Sequence, residues 1–208
     1  MSVYETEEEQ VEAIKKWWKE NGTSIIAGVV LGLGGVFGWQ AWNGYQDRIG
    51  GEASVAFSQL IGAAKTADPA SASKQAELLR SEFESTSYAV LAAMVEARLK
   101  LEQGDRGAAR SQLEWAMQHS DNPSLKTLAR LDLARVLLSD GELKRAAELA
   151  DVTDGGFAAD FAELRGDIAA EQKRLDAARE AYTQALALNA ADPQRLQMKL
   201  DDLAGVTP

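Results

Sequence analysis

The sequence predicts an all-α fold, a single N-terminal transmembrane helix followed by a superhelix of divergent helical repeats. Three observations lead there. A run of 26 uncharged residues separates Glu20 from Asp47, the remainder is Ala- and Leu-rich with helical periodicity, and short polar breaks punctuate that remainder every 13 to 18 residues.

The uncharged run comes first. Its centre, Ser24 to Trp42, reads SIIAGVVLGLGGVFGWQAW. A helix needs about 20 residues to cross about 30 Å of hydrocarbon, so the length suffices. Ile25, Ile26, Val29, Val30, Leu31, Leu33, Val36 and Phe37 together favour insertion by roughly 2.4 to 4.8 kcal/mol. Trp17 and Trp18 stand before the run and Trp39, Trp42 and Tyr45 close it, as amphipathic rings do at the two faces of a bilayer. A cleaved signal would need a short basic start and a small-residue cleavage site, whereas an acidic segment precedes this run and GWQAW follows it. A buried soluble helix is disfavoured by five glycines, each of which weakens a helix in water by up to about 1 kcal/mol.

Those glycines have a spacing. Gly28 with Gly32 and Gly34 with Gly38 make two small-xxx-small pairs, which let a second transmembrane helix approach closely; chance glycine richness is the alternative. Orientation follows from charge: Lys15, Lys16 and Lys19 lie before the span, and only Arg48 lies within twenty residues after it. This places the N-terminus in the cytoplasm and the C-terminal part across the membrane, in the periplasm of a bacterium. The expected organisation is a cytoplasmic amphipathic N-terminus over 1–22, lying at the membrane surface, a transmembrane helix over 23–45 and a repeat domain over 46–208.

The repeats are in register. MVEARLKLEQGDRGAARSQLEWAM, RLDLARVLLSDGELKRAAELA and ELRGDIAAEQKRLDAAREAYTQALAL each carry a small residue on the first helix and an alanine twelve residues later on the second. The pairs are Ala97 with Ala109, Ala134 with Ala146, and Gly166 with Ala178. Two helices cross closely only where neither has a large side chain. These positions resemble the tetratricopeptide repeat, with departures: the early Trp is missing, prolines come late as Pro123 and Pro193, the second unit is shortened before DGG, and the units are 37 and then 32 residues apart. Residues 52–83 are expected to form a degenerate first pair, its first helix continuing from the span.

The inner face of each first helix is the candidate binding surface. It carries Met94, Arg98 and Leu101 in one unit and Leu131, Arg135 and Leu138 in the next, two apolar pairs with an arginine at the equivalent place. The third unit offers Asp160, Glu163, Asp167 and Glu171, so the face is expected to turn acidic along its length. An apolar segment with acidic groups would fit the basic part; the alternative is that both arginines lie in solvent or pair with neighbouring carboxylates.

Composition excludes several classes. Three Lys and six Glu precede the run, 19 basic and 26 acidic residues follow it, and the formal charge is −10. A surface acidic on both sides repels phosphate backbones, so no nucleic-acid partner is expected. With no cysteine there is no disulfide framework or thiol nucleophile, and the one histidine, His119, is expected to be a solvated helix-end residue. No P-loop, GxSxG or histidine pair at ligand spacing is present. The many Asp and Glu are expected on exposed faces. An enzyme is therefore not expected, nor a cofactor, a metal or a small-molecule substrate.

The order of parts is itself recognisable. QVEAIKKWWKENG, then a glycine-rich span ending in GWQAWN, then divergent helical repeats to the C-terminus resembles, over essentially the full length, the YfgM family of ancillary subunits of the bacterial SecYEG translocon. The resemblance implies an inner-membrane protein beside the translocon and a PpiD-like periplasmic chaperone, in contact with membrane lipid and assisting exported client proteins. Two other readings remain at this stage, a purely structural membrane tether and a repeat protein that binds a stress regulator without a chaperone role.

Overall fold

The computed structural model describes residues 7–204, and among these every regular element is helical. The chain divides into two units, Met1–Gly50 and Gly51–Pro208. Positions 1–6 of the expected cytoplasmic segment lie outside the described residues.

Helix α1 spans Glu7–Lys65. Among the described residues the helix runs on without a turn from the amphipathic start into the glycine-rich run. Asn21 stays helical and its Nδ2 donates to the Trp17 carbonyl at 3.0 Å. Gln10–Lys65 is long and apolar enough to cross a membrane. Ile26, Leu31, Phe37 and Trp39 are exposed, which a core helix of a soluble protein would not permit.

In the second unit the end of α1 lays Ala53, Ala56 and Leu60 against Ala72, Ala76 and Leu79 of α2 (Pro69–Glu82), which completes a first helix pair. Pro69 supplies a pre-set first turn, and Asp68 caps it by accepting from the Ser71 amide at 3.1 Å. Hydrogen bonds from the Ser71 side chain and backbone hold the Asp68 carboxyl below its ordinary value.

Three further pairs follow the predicted units: α3 (Ser87–Glu102) with α4 (Arg106–His119), α5 (Pro123–Ser139) with α6 (Leu143–Leu149), and α7 (Ala158–Glu171) with α8 (Leu175–Ala187). A last helix, α9, spans Pro193–Ala204. Helices α3, α5 and α7 touch in succession and form an inner layer, with α4, α6 and α8 packed outside them. All six small crossing residues are buried.

The turns within the three pairs share one geometry. Gly104 and Gly141 adopt φ of 80° and 76°, and the amides of Asp105 and Glu142 reach back to the carbonyls of Lys100 and Leu137 at 2.8 and 2.9 Å. In the third pair Lys173 stands at the equivalent position with φ 60°, and Arg174 makes the same bond to Ala169 at 2.9 Å. A lysine there conceals the turn from a reader looking for glycine.

The second pair is the irregular one. Helix α6 has only seven residues, and the segment after it runs without helix to Phe157. Side chains hold that segment in place. Arg165 Nη1 donates to the carbonyls of Ala150 and Val152 at 3.0 and 2.7 Å, and Arg130 Nε donates to that of Leu149 at 2.6 Å. Burial lowers the Arg165 pKa from its ordinary value.

One expectation about polar residues needs correction. Glu96 and Glu163 are buried rather than on exposed faces, because each meets cations from a neighbouring helix: Arg80 lies 3.4 Å from Glu96, and α9 supplies Arg195 and Lys199 to Glu163. His119 is, as expected, an exposed residue at the end of α4, and it also has neighbours. Its ring stacks on Trp115 at 4.3 Å, Nδ1 lies 2.9 Å from the Trp115 carbonyl, and Nε2 lies 3.4 Å from Glu84.

Candidate functional site

An open groove of about 480 Å³ lies on the inner layer between α3 and α5. Successive turns of α3 contribute Met94, Arg98 and Leu101, and α5 contributes Asp132, Arg135 and Val136, so residues 37 apart in sequence face each other across it. Arg106, at the start of α4, closes one end. Leu113 forms part of the floor and is buried.

Three guanidinium groups therefore line an apolar trough, and each already has a carboxylate. Arg98 reaches Glu102 one turn along its own helix at 3.2 Å, in a pair that water screens. Arg135 lies 3.4 Å from Asp132 and 3.3 Å from Asp160 of α7. Arg106 is paired with Asp140. Arg98 remains 82% exposed at its side chain, so it is the group most free to turn toward a ligand. Burial raises the Asp132 carboxyl above its ordinary value, although Arg135 pulls the other way. Charged ligand oxygens would thus meet Arg98 at little cost, whereas reaching Arg135 means competing with Asp132 and Asp160.

The other predicted inner-face residues separate. Leu131 is 1% exposed and packed among Ala97, Ala134 and Leu164, so it holds α5 to its neighbours and touches no ligand. One turn N-terminal to Arg135, it faces the helix-pair interior, not the groove. Leu138 falls on the far side of α5, where it lines a second cavity of about 480 Å³ with Asp160, Glu163 and Asp167.

The expected acidic face of the third unit is partly neutralised, with Glu163 buried and Glu171 exposed. Helix α9 lies over it. Lys199 Nζ donates to Glu163 Oε1 at 2.8 Å and to Asp167 Oδ1 at 2.6 Å, and Arg195 Nη2 donates to Glu163 Oε2 at 2.8 Å. Asp167 also accepts from the Tyr182 hydroxyl at 2.7 Å; burial, and then the Asp167 bond, push the Tyr182 pKa far upward. The sequence signal for this arrangement was present as Arg195 and Lys199 four apart with Leu196, Leu200 and Leu203, an amphipathic pattern that sets two cations beside an apolar stripe.

In the apolar run, a Cβ added at Gly28, Gly32, Gly34 or Gly38 would meet nothing within 4 Å. The four positions lie on exposed helix surface.

Comparison with known proteins fits this construction. Residues 15–205 match the family model of the tetratricopeptide repeat-like domain. The chain is 33% identical over 199 residues to a Haemophilus influenzae protein named "Ancillary SecYEG translocon subunit", covering 95% of this chain and 97% of that protein. An Escherichia coli protein of the same name is 31% identical over 207 residues, covering 98% of this chain and all of its relative. A Neisseria gonorrhoeae relative, also so named, is 25% identical over 209 residues.

Proposed function

The chain belongs to the family of ancillary SecYEG translocon subunits, built on a tetratricopeptide repeat-like domain, and from that premise we propose a non-enzymatic interaction module anchored in the bacterial inner membrane beside the Sec translocon. The apolar stretch of α1 is the anchor. Lys15, Lys16 and Lys19 keep its N-terminal end in the cytoplasm, and the helix pairs work in the periplasm with a PpiD-like membrane-anchored chaperone, assisting exported proteins. The observation that carries this reading is full-length similarity to the named relatives together with an exposed, membrane-length apolar helix.

Two surfaces divide the work. Gly28, Gly32, Gly34 and Gly38 form the packing face of the span against a transmembrane helix of the translocon or the chaperone, since an anchor needs only apolarity and Leu would supply that better than Gly. The groove of Met94, Arg98 and Arg135 takes an extended apolar segment carrying a carboxylate.

The test is co-purification of the translocon and the chaperone from mild detergent with the full chain. Gly28→Ile with Gly32→Ile should insert normally and lose the membrane partner. Arg98→Glu should keep that partner and lose client segments. Full recovery of every partner with both variants would remove the assignment of these surfaces, and failure of the wild-type chain to bring down the translocon would remove the function.

A further inference from the structure

We propose that the open joint between α6 and α8, on the outer layer of the repeat domain, is a second docking site. Its occupant is an amphipathic helix of a partner protein, with a carboxylate near its start and a cation about three turns further on. A groove of about 880 Å³ separates α6 from α8, floored by Ile168 and Ala169 of α7. Ala147 on one wall and Ala177 and Ala181 on the other keep it wide. A helix about 10 Å across fills about 850 Å³ in two turns, so the space suits one helix. It shares no lining residue with the groove of Arg98 and Arg135 on the inner layer.

The repeat register shows what this joint lacks. At the preceding joint two ion pairs tie α4 to the start of α6, Arg110 with Glu142 and Glu114 with Arg145. The outer crossing alanines advance by 37 positions from Ala109 to Ala146 and by 32 from Ala146 to Ala178. The same steps carry the two ion pairs onto Ala147 with Arg174 and Asp151 with Ala177, so each has lost one member to alanine. Arg174 and Asp151 are left over. Among the described residues neither forms an ion pair, and Arg174 donates to the Gln172 side chain at 2.8 Å.

The two leftover charges stand at opposite ends of the groove. Arg165 reaches Gln184 at 3.3 Å with one nitrogen and the carbonyls of Ala150 and Val152 with another, which sets Asp151 near Gln184, ten residues and roughly 15 Å along α8 from Arg174. Lys144 joins Arg174 at the cationic end, whereas Glu148 and Glu180 extend the anionic side toward Asp151. The Arg165 guanidinium at that end is already committed to carbonyls. A helix lying in the groove parallel to α8 sets a carboxylate of its first turn on Arg174, small apolar side chains on Ile168 and the alanines, and a cation of its last turn on Asp151. It thereby supplies both lost partners. This polarity, acidic at the start and basic at the end, is also the one a helix favours by itself, and the reverse orientation sets like charge on like.

The probe is a labelled sixteen-residue helical peptide with glutamate at its third position, leucine at its sixth and tenth, and lysine at its thirteenth. Its control exchanges the glutamate and the lysine, so any association with detergent is common to both. Fluorescence anisotropy with the detergent-purified full chain should show the probe binding at least tenfold more tightly than the control. Asp151→Lys with Arg174→Glu should reverse that preference. Ala147→Glu with Ala177→Arg rebuilds both ion pairs of the preceding joint, and this closed variant should bind the probe at least tenfold more weakly than the wild type. Hydrogen exchange in α3 to α8 verifies that the variants remain folded. Equal binding of the two peptides, no binding to the wild type, or undiminished binding to the closed variant overturns the proposal. So does self-association of the wild-type chain that the closed variant abolishes, because the groove would then hold a second copy.

Discussion

A Cβ placed on Gly166 would overlap Cε1 and Cδ1 of the Tyr182 ring, closer than any pair of non-bonded carbon atoms tolerates. Gly166→Ala should therefore destabilise the repeat domain by about 1–3 kcal/mol, although alanine is the better helix former. The check is urea unfolding of Gly166→Ala alone and with Tyr182→Ala. If the ring is the obstacle, the alanine at 166 should cost much less in the second background.

Lys173 occupies the left-handed turn position where the other two pairs have glycine. An L-residue there costs roughly 1–2 kcal/mol, of which the extra freedom of an unfolded glycine takes back a part. Lys173→Gly should raise stability by about 0.5–1 kcal/mol, seen as a higher melting temperature. A lower melting temperature would mean that the lysine side chain makes a contact worth more than the strain.

Asp132 gives a pH dependence with a definite sign. Its folded value is raised by burial above the ordinary 3.8, so its stabilising contribution is complete below about that pH and is lost as pH rises through the folded value. Asp132→Asn lacks this titration. Relative to the wild type, the variant should gain stability between pH 4 and pH 7 in parallel thermal melts, and a constant difference across the window would show that Arg135 cancels the burial.

Because the natural chain has no cysteine, single cysteines report orientation directly. One at Ser2, which lies outside the described residues, should resist a membrane-impermeant thiol reagent in intact cells. Ser120 is buried, so the neighbouring exposed Asp121 is the better site on the repeat domain, and a cysteine there should react. The opposite pattern would invert the proposed orientation.

What the sequence made legible was whatever depends on small residues and periodicity. The three crossings were readable because a crossing tolerates no large side chain, and the anchor was readable because hydrocarbon tolerates no charge. Charge placement was harder to read. Glu163 and Asp160 are as polar as any surface residue, and only their neighbours in space decide their fate: α9, about thirty residues later in the chain, pairs with Glu163, which is buried, and Arg135 of α5 pairs with Asp160. Leu131 misled for the converse reason: helical spacing put it on the face with Arg135, but the angle between them carries one into the groove and the other into the core. The turn at Lys173 was readable only from the repeat register, because no glycine marks its left-handed position.

The segment that follows α6 owes its path to Arg130 and Arg165, whose side chains grip backbone carbonyls, and carbonyls are present whatever the residue. Its sequence is thereby released from selection for shape, and so, within limits, is its length. A family built this way can drift in linker composition and in the pitch from one pair to the next while two arginines keep the joint closed.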